Sequence, residues 1–403
     1  MKNILGRLII SAFHGFLLLL LTWAWLGSYM TYGDEFLLVK WSSTVKRVFL
    51  NIDEDPPANR FLFIDLAYDK AIIPREDGPG NEVITDRAQL SRFFEISGRQ
   101  QNVARYIFCD VFLQGRSEWD DSLELSVAKN ANLIFPIHKD ENGLLLKPEL
   151  NVPYGIADYQ SNRGNTFLKF KLFQDSSYHT VPVEMYKKLN DKSFESGLFF
   201  NYDKGLPILN SVIIDYPIRN YELMDEQEYA LISLSELLML PEEVIINEYL
   251  KNRIVLMGDF KNDSHQTIFG PMAGTLILLN TFLTLEGGQH RLPLTWFLFL
   301  IIAYTNLSYF VFFAQKNHQN ISGKQNEIVQ RYPFLLSLIG YLVILSSFSI
   351  FSYLIFGVHI NILIIALYLN VLGLIRNLRE HSGWKEAAKN WLIYIKNEYF
   401  KFY

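Results

Sequence analysis

The sequence predicts an α/β domain with a mostly parallel sheet covered by helices, held outside the cytoplasm by four transmembrane α-helices. Three observations carry this reading. Charge-free apolar runs sit at the two ends of the chain; short Val-, Ile- and Phe-rich segments alternate with helical patterns between them; and Lys and Arg gather in segments that fall on one side of a membrane. With 403 residues, half of them apolar and only 20% charged, the chain is long enough for one large domain plus a membrane part.

The four runs without Asp, Glu, Lys or Arg are Leu8–Met30, Leu294–Ala314, Phe334–Phe356 and Val358–Ile375. A bilayer core is crossed by roughly 20 apolar helical residues, and the shortest run still reaches the lower end of that range. The first reads as an uncleaved anchor, because Leu26-Gly27-Ser28-Tyr29 offers a poor small-x-small cleavage site. Lys2 and Arg7, then Lys316, Lys324 and Arg331, then the tail after Ile375 with Arg376, Arg379, Lys385, Lys389, Lys396 and Lys401, all fall on one side if each run crosses once. The positive-inside rule makes that side cytoplasmic. The chain carries −5 overall and the three basic segments together +7, which leaves −12 on Thr31–Pro293. An acidic domain outside the cytoplasm excludes nucleic acid as a partner.

These boundaries divide the chain into a cytoplasmic N-terminus and anchor (1–30), the extracytoplasmic domain (31–293), three further spans (294–375) and a basic tail (376–403). After the anchor, Leu37, Leu38, Trp41, Val45, Val48 and Phe49 have helical spacing and predict a stem helix that stops before Asp53–Pro57. Central strands, apolar on both faces, are predicted at Phe61–Leu66, Tyr106–Leu113, Ala131–Ile137, Ser211–Pro217 and Arg253–Asp259. Helices are predicted after Thr85, with Asp86 as a cap and Arg87 packed or solvated; from Asp120-Asp121, where Asp121 and Glu124 have capping-box spacing; after Thr180, with Pro182 in the first turn; and over SLSELLML and PEEVIINEYL. This alternation argues for a layered α/β domain. In the tail, Trp384, Ala388, Trp391, Ile395 and Tyr399 share one helical face, the pattern of a helix lying on membrane lipid or docked on a partner.

Cys109 is the single cysteine, so no intramolecular disulfide forms, and its place in an apolar run predicts a buried thiol. His14, Asn306, His359, Asn361 and Asn370, in or beside the spans, predict helix–helix hydrogen bonds. No phosphate-binding loop, nucleophile elbow or zinc helix motif is present, and His265 has no second metal ligand at helical or hairpin spacing, so no cofactor and no metal are expected.

The candidate site residues are aspartates at or near the carboxyl ends of predicted strands: Asp65, Asp110, Asp215 and Asp259. Asp263, His265 and Thr267 join them from the loop after the last strand. Ligands of open α/β sheets bind outside those ends. Converging carboxylates bind a cation or share protons. Alternatively, each Asp merely caps the loop or helix that follows it.

The segments FLFIDLAYDKAII, ITDRAQLSRFF, ARYIFCDVFLQ, YGIADYQSNRGNTFLKF and RIVLMGDFKNDSHQTIFGPMAGTLILLNTFL, in this order between one anchor and three spans, resemble the CHASE2 family of extracytoplasmic sensor domains. The last piece carries the family's Asp-x-His-x-Thr loop as Asp263, His265 and Thr267. It departs from the family pattern at Ile268, at Leu278-Leu279 and at Asn162–Asn165, which would alter or remove the family's ligand. The resemblance implies a sensor in the cytoplasmic (inner) membrane of a bacterium. About 28 residues follow the last span, too few for the output domain that family members commonly carry there. The expected function is therefore a non-enzymatic, membrane-anchored sensor or binding protein, which relays binding of a small molecule or partner to another membrane or envelope protein. The alternatives are a structural subunit or docking platform of an envelope complex, and an envelope enzyme using Asp65, Asp110 and Asp259 around a metal.

Overall fold

Phe61, Phe63, Tyr106, Phe108, Ile254 and Leu256 alternate with Leu62, Ile64, Ile107, Cys109, Val255 and Met257, and all twelve are buried. Side chains of a strand point alternately to its two faces. A strand apolar at every position therefore needs cover on both sides, which is what the fold supplies. The computed structural model describes residues 2–26, 33–50, 55–75, 78–159, 166–191, 193–197, 200–225, 227–313 and 333–380.

The elements in chain order begin with α1 (Lys2–Leu26) and α2 (Gly33–Thr44). They continue with β1 (Phe61–Asp65), β2 (Lys70–Pro74), β3 (Asn81–Thr85), α3 (Arg87–Ser97), β4 (Tyr106–Cys109), α4 (Asp120–Val127) and β5 (Leu133–Lys139). Next come β6 (Leu145–Leu146), β7 (Tyr154–Ile156), β8 (Thr166–Phe167), β9 (Lys169–Lys171), α5 (Val181–Asn190), β10 (Glu195–Ser196), β11 (Asn201–Asp203), β12 (Leu206–Pro207) and β13 (Ser211–Ile213). Then follow α6 (Asn220–Met224), β14 (Leu231–Ser233), α7 (Leu234–Leu238), α8 (Glu242–Val244), β15 (Ile254–Gly258), β16 (Ser264–Thr267), β17 (Gly270–Ala273) and α9 (Gly274–Glu286). The last three are α10 (Leu294–Phe313), α11 (Pro333–Phe356) and α12 (Leu363–Glu380). The described residues form two units: the apolar helices (Met1–Gly27, Gly33–Leu38 and Leu292–Tyr403) and the α/β body (Ser28–Tyr32 and Val39–Arg291).

The central sheet of the α/β body runs β14-β1-β15-β4-β5, with β6 and β7 both pairing with β5. Every pairing is parallel except β5 with β6. One face is covered by Leu90, Phe93 and Phe94 of α3, Leu123 and Val127 of α4, Leu234 and Leu237 of α7, and Ile245, Ile246 and Leu250. α9, buried from Gly274 through Leu285, packs against β15, and α5 packs against β5 and β7. Cys109 is fully buried, as its apolar run predicts.

Two strand expectations are corrected. Ser211–Ile213 lies outside the central sheet and pairs antiparallel with β9, where Asn210 accepts the amides of Leu172 and Phe173 and fixes the two strands together. The place beside β1 is taken by β14, for which no strand was expected, and only its last residue, Ser233, belongs to the stretch SLSELLML expected to be helical. Ser233 divides the two: it ends β14 in register with Asp65, and its hydroxyl accepts the Glu236 amide while the Glu236 carboxylate accepts the Ser233 amide. That capping box starts α7 immediately after the strand.

The caps also differ in one place. Asp86 accepts the amides of Ala88 and Gln89 as expected, and Arg87 is buried, ion-paired with Asp120 and bonded to the carbonyls of Gln114 and Gly115. α4, however, starts at Asp120 with Trp119 at its cap and no side-chain bond; Asp121 falls inside the first turn, and Glu124, its expected capping partner, accepts the Asn151 amide instead. The stem is helical from Gly33 and closes with a π turn at Val45–Phe49. It leaves Leu37, Trp41, Val48 and Phe49 exposed.

Among the described residues of the helical unit, three helices are long and apolar enough to cross a membrane: Ile4–Leu26, Leu294–Phe313 and Ser337–Phe356. The fourth expected span is only a shorter apolar helix, Leu363–Ile375. Val358–Ile362 is not helical. Gly357 turns the chain at φ +69°, Ser352 donates to the Val358 carbonyl, and Ser349 bonds both backbone groups of Ile360. Asp34 Oδ2 then accepts the amides of Ile362 and Leu363, supplying the anion that a helix start favours. His14 bonds the Tyr368 hydroxyl and Ser337 bonds Asn370, both between helices as expected, whereas Asn306 bonds Ile302 of its own helix. Asn361 donates to buried Glu35, and His359 stacks on Tyr353. The amphipathic pattern at Trp384–Tyr399 and the turn at Asn162–Asn165 lie outside the described residues.

Candidate functional site

The parallel register sets the site. Asp65 is level with Gly258, and Met257 with Cys109, so Asp65, Asp110 and Asp259 emerge along one edge of the sheet. This is the carboxyl edge where α/β sheets bind ligands. A cavity of about 630 Å³ opens there, lined by Asp110, Asp259, Asp263 and His265 among the expected residues. His138, Asp158, Tyr159, Phe112 and the β2–β3 hairpin complete its walls.

Asp110 follows β4 directly, and its Oδ2 accepts the Thr275 hydroxyl at 2.7 Å. Burial pushes this carboxyl up to about 6, against the pull of the Thr275 bond, with the Asp263 charge adding to the rise. Two histidine–aspartate pairs flank it. His138 Nδ1 lies 2.8 Å from Asp158 Oδ1, and Asp158 also accepts the Lys139 amide. His265 Nε2 lies 3.0 Å from Asp263 Oδ1. The carboxylate bond raises the pKa of each histidine above its ordinary value and outweighs burial. Tyr159 stands beside His265, with ring centroids 5.4 Å apart, and burial holds its hydroxyl protonated.

The remaining expected residues have other tasks. Asp65 is buried. Its Oδ1 accepts the amides of Ala67 and Phe260 and its Oδ2 lies 3.1 Å from Lys261 Nζ, so it clasps β1 to the turn after β15. Asp259 lines the cavity mouth but also accepts the amides of Lys261 and Asn262. Burial pushes its carboxyl up, yet those bonds and the Asn262 side chain hold it below the usual value. Thr267 closes the β16–β17 turn, donating to the Gly270 carbonyl and accepting the Phe269 amide. Asp215 does not reach the crevice. It follows β13 instead of a central strand, and pairs with Lys46 at 3.2 Å and Gln289 at 2.8 Å.

His138, Asp158, Tyr159 and Thr275 were not singled out in the sequence. The signal existed in two places: the β5 run continues through His138, and Asp158-Tyr159 lies inside one of the segments that carry the family resemblance. Nothing local, however, says that β7 pairs with β5 and so delivers Asp158 to His138.

Two glycines allow the close approach. A Cβ on Gly258 would collide with Thr275 Oγ1, the group that holds Asp110. A Cβ on Gly274 would lie 2.6 Å from Asp263 Oδ2 and 2.7 Å from the Tyr159 hydroxyl. Gly274→Ala is therefore expected to part these side chains and cost about 1–3 kcal/mol. A denaturant titration checks the cost, and an unchanged midpoint would show that the cluster is looser than this geometry.

No family model, curated protein or solved structure matches the chain. The class that fold and site define is a mixed α/β protein with a mostly parallel sheet and, among the described residues, three helices long and apolar enough to cross a membrane.

Proposed function

We propose that the chain is a membrane-anchored binding protein whose extracytoplasmic α/β body takes a ligand in the crevice at the carboxyl edge of its sheet and relays the event to another protein. The observation that carries this reading is the convergence of Asp110, His138, Asp158, Tyr159, Asp263 and His265 from separate strands and loops on one cavity. Its volume suits a small molecule. A CHASE2-like sensor in a bacterial cytoplasmic membrane is the particular form proposed, supported by the three apolar helices and the charge distribution of the sequence. Signalling requires that the ligand bind two states of the protein unequally.

A second reading, a docking platform in an envelope complex, is favoured by a separate groove beside α3 and α7. It is lined by Trp119, Leu238 and Met239, and Met239 is 82% exposed. The deciding experiment is a thermal-shift screen of small polar compounds on the detergent-extracted full chain, beside mass spectrometry of proteins that stay bound. Binding in the crevice raises the melting temperature of the wild type but not of His265→Ala. A stoichiometric protein partner, with no compound shifting the wild type, would favour the platform instead.

A further inference from the structure

We infer that the crevice takes a small organic cation, an amine whose ammonium group lies against Asp110, with Glu82 as a second carboxylate and Phe112 and Tyr159 as aromatic walls. This rests on the crevice being a ligand site.

The cavity holds negative charge that its own cations do not meet. Inside the cavity each cationic or cation-forming side chain has a carboxylate close by: Lys70 lies 3.9 Å from Asp259, His138 is bonded to Asp158, and His265 to Asp263. Asp110 and Glu82 remain. Among the described residues neither has a cation within ion-pair distance. Asp110 keeps only the Thr275 hydroxyl as a side-chain partner, and Glu82 has none. Both are partly buried in the cavity wall, and a carboxylate partly withdrawn from water without a counter-charge favours a proton or a bound cation. Within that wall the Thr275 hydroxyl, at the start of the thirteen-residue α9, holds the Asp110 carboxylate at 2.7 Å. Among the described residues, no three His, Cys, Asp or Glu side chains come together to hold a metal ion. The cavity is large enough for an organic molecule, and aromatic faces attract ammonium groups.

Binding is then coupled to protons. With the Asp110 carboxyl at about 6, the ligand meets the ionised form at neutral pH and competes with a proton in acid. His138 and His265, both held above their ordinary value by their carboxylate partners, add repulsion as they become protonated, and Lys70, Glu82, Asp158, Asp259 and Asp263 are the other charged side chains that face the cavity. The affinity is expected to fall about tenfold between roughly pH 7.5 and pH 5.

The test is titration of the full chain in detergent with putrescine and ethanolamine, against acetate and inorganic phosphate, each to about 10 mM, read by melting temperature and calorimetry. The expected result is a shift with the amines alone, weakened about tenfold in Asp110→Asn and in Glu82→Gln and weakened likewise by acid. An amine shift that survives both substitutions overturns the inference, because the cation would then be bound elsewhere on this acidic body. No shift with any amine overturns it too. If acetate or phosphate shifts the wild type and Gly274→Ala abolishes the effect, the cation inference fails while the crevice stands as a ligand site.

Discussion

Asp203→Asn is expected to destabilise the α/β body by about 3–5 kcal/mol, the cost of breaking a buried, hydrogen-bonded ion pair from one side. Asp203 ends β11 and is 1% exposed. Its Oδ2 accepts from the Tyr186 hydroxyl of α5 at 2.8 Å, from His290 Nε2 at 2.9 Å and from Arg291 Nε at 2.6 Å. One carboxylate thus fastens α5 and the segment after α9 to a small antiparallel sheet. Burial pushes this carboxyl up, but the bonds from His290, Tyr186 and Arg291 outweigh it and hold the group well below the usual carboxylate range. The sign follows: a depressed folded value supplies stability above the unfolded value of 3.8, lost as pH falls through the folded one. The difference between wild type and Asp203→Asn should therefore be full at neutral pH and shrink only in strong acid. Denaturant titrations at several pH values check it. Tyr186→Phe, which removes the bond donated to Asp203 and the one accepted from Arg291 but no charge, should cost only about 1–2 kcal/mol. Equal costs for the two variants would show that the charge contributes nothing.

Asp110→Asn is expected to act in the opposite direction and stabilise the protein at neutral pH. Its carboxyl is raised from 3.8 to about 6, so the folded state binds a proton more tightly than the unfolded chain. Stability linked to that proton is fully present below the unfolded value and is lost as pH rises through the folded value. A shift of this size corresponds to at most about 3 kcal/mol, and solvent at the cavity mouth reduces it to about 1–3 kcal/mol. Asparagine still accepts the Thr275 hydroxyl without carrying a charge. The gain should be largest near pH 7.5 and vanish near pH 4; thermal unfolding across that range measures it. A variant less stable than wild type at pH 7.5 would mean that the carboxylate is held by cations in the free protein, against the reading of the crevice given above. A gain of this kind would fit the binding role proposed for Asp110, a group that costs stability where it stands.

Much of this architecture was legible because it is local. Continuous apolar runs at Phe61–Asp65, Tyr106–Cys109 and Ile254–Gly258 demand a sheet covered on both faces, and the structure has one. Aspartates at or just past their ends imply a polar carboxyl edge, and Asp110 and Asp259 are found on it. The length and composition of Ile4–Leu26, Leu294–Phe313 and Ser337–Phe356 are also enough to identify helices that can cross a membrane.

Tertiary structure decided which of those aspartates are already paired with cations and amides. Asp65 and Asp110 occupy equivalent places at strand ends, yet Lys261 and two amides satisfy the first while a single hydroxyl meets the second. Asp215 has the same local setting and lies elsewhere, since β13 pairs with β9 instead of joining the parallel sheet. The turn at Gly357–Ile362 shortens an apolar run that composition alone would let span, because serines of the preceding helix bond its backbone. Periodicity and composition act between neighbours a few residues apart, and sequence carries them openly. Strand order, ion pairing and the filling of a cavity depend on residues tens to hundreds of positions away, so only the folded chain settles them.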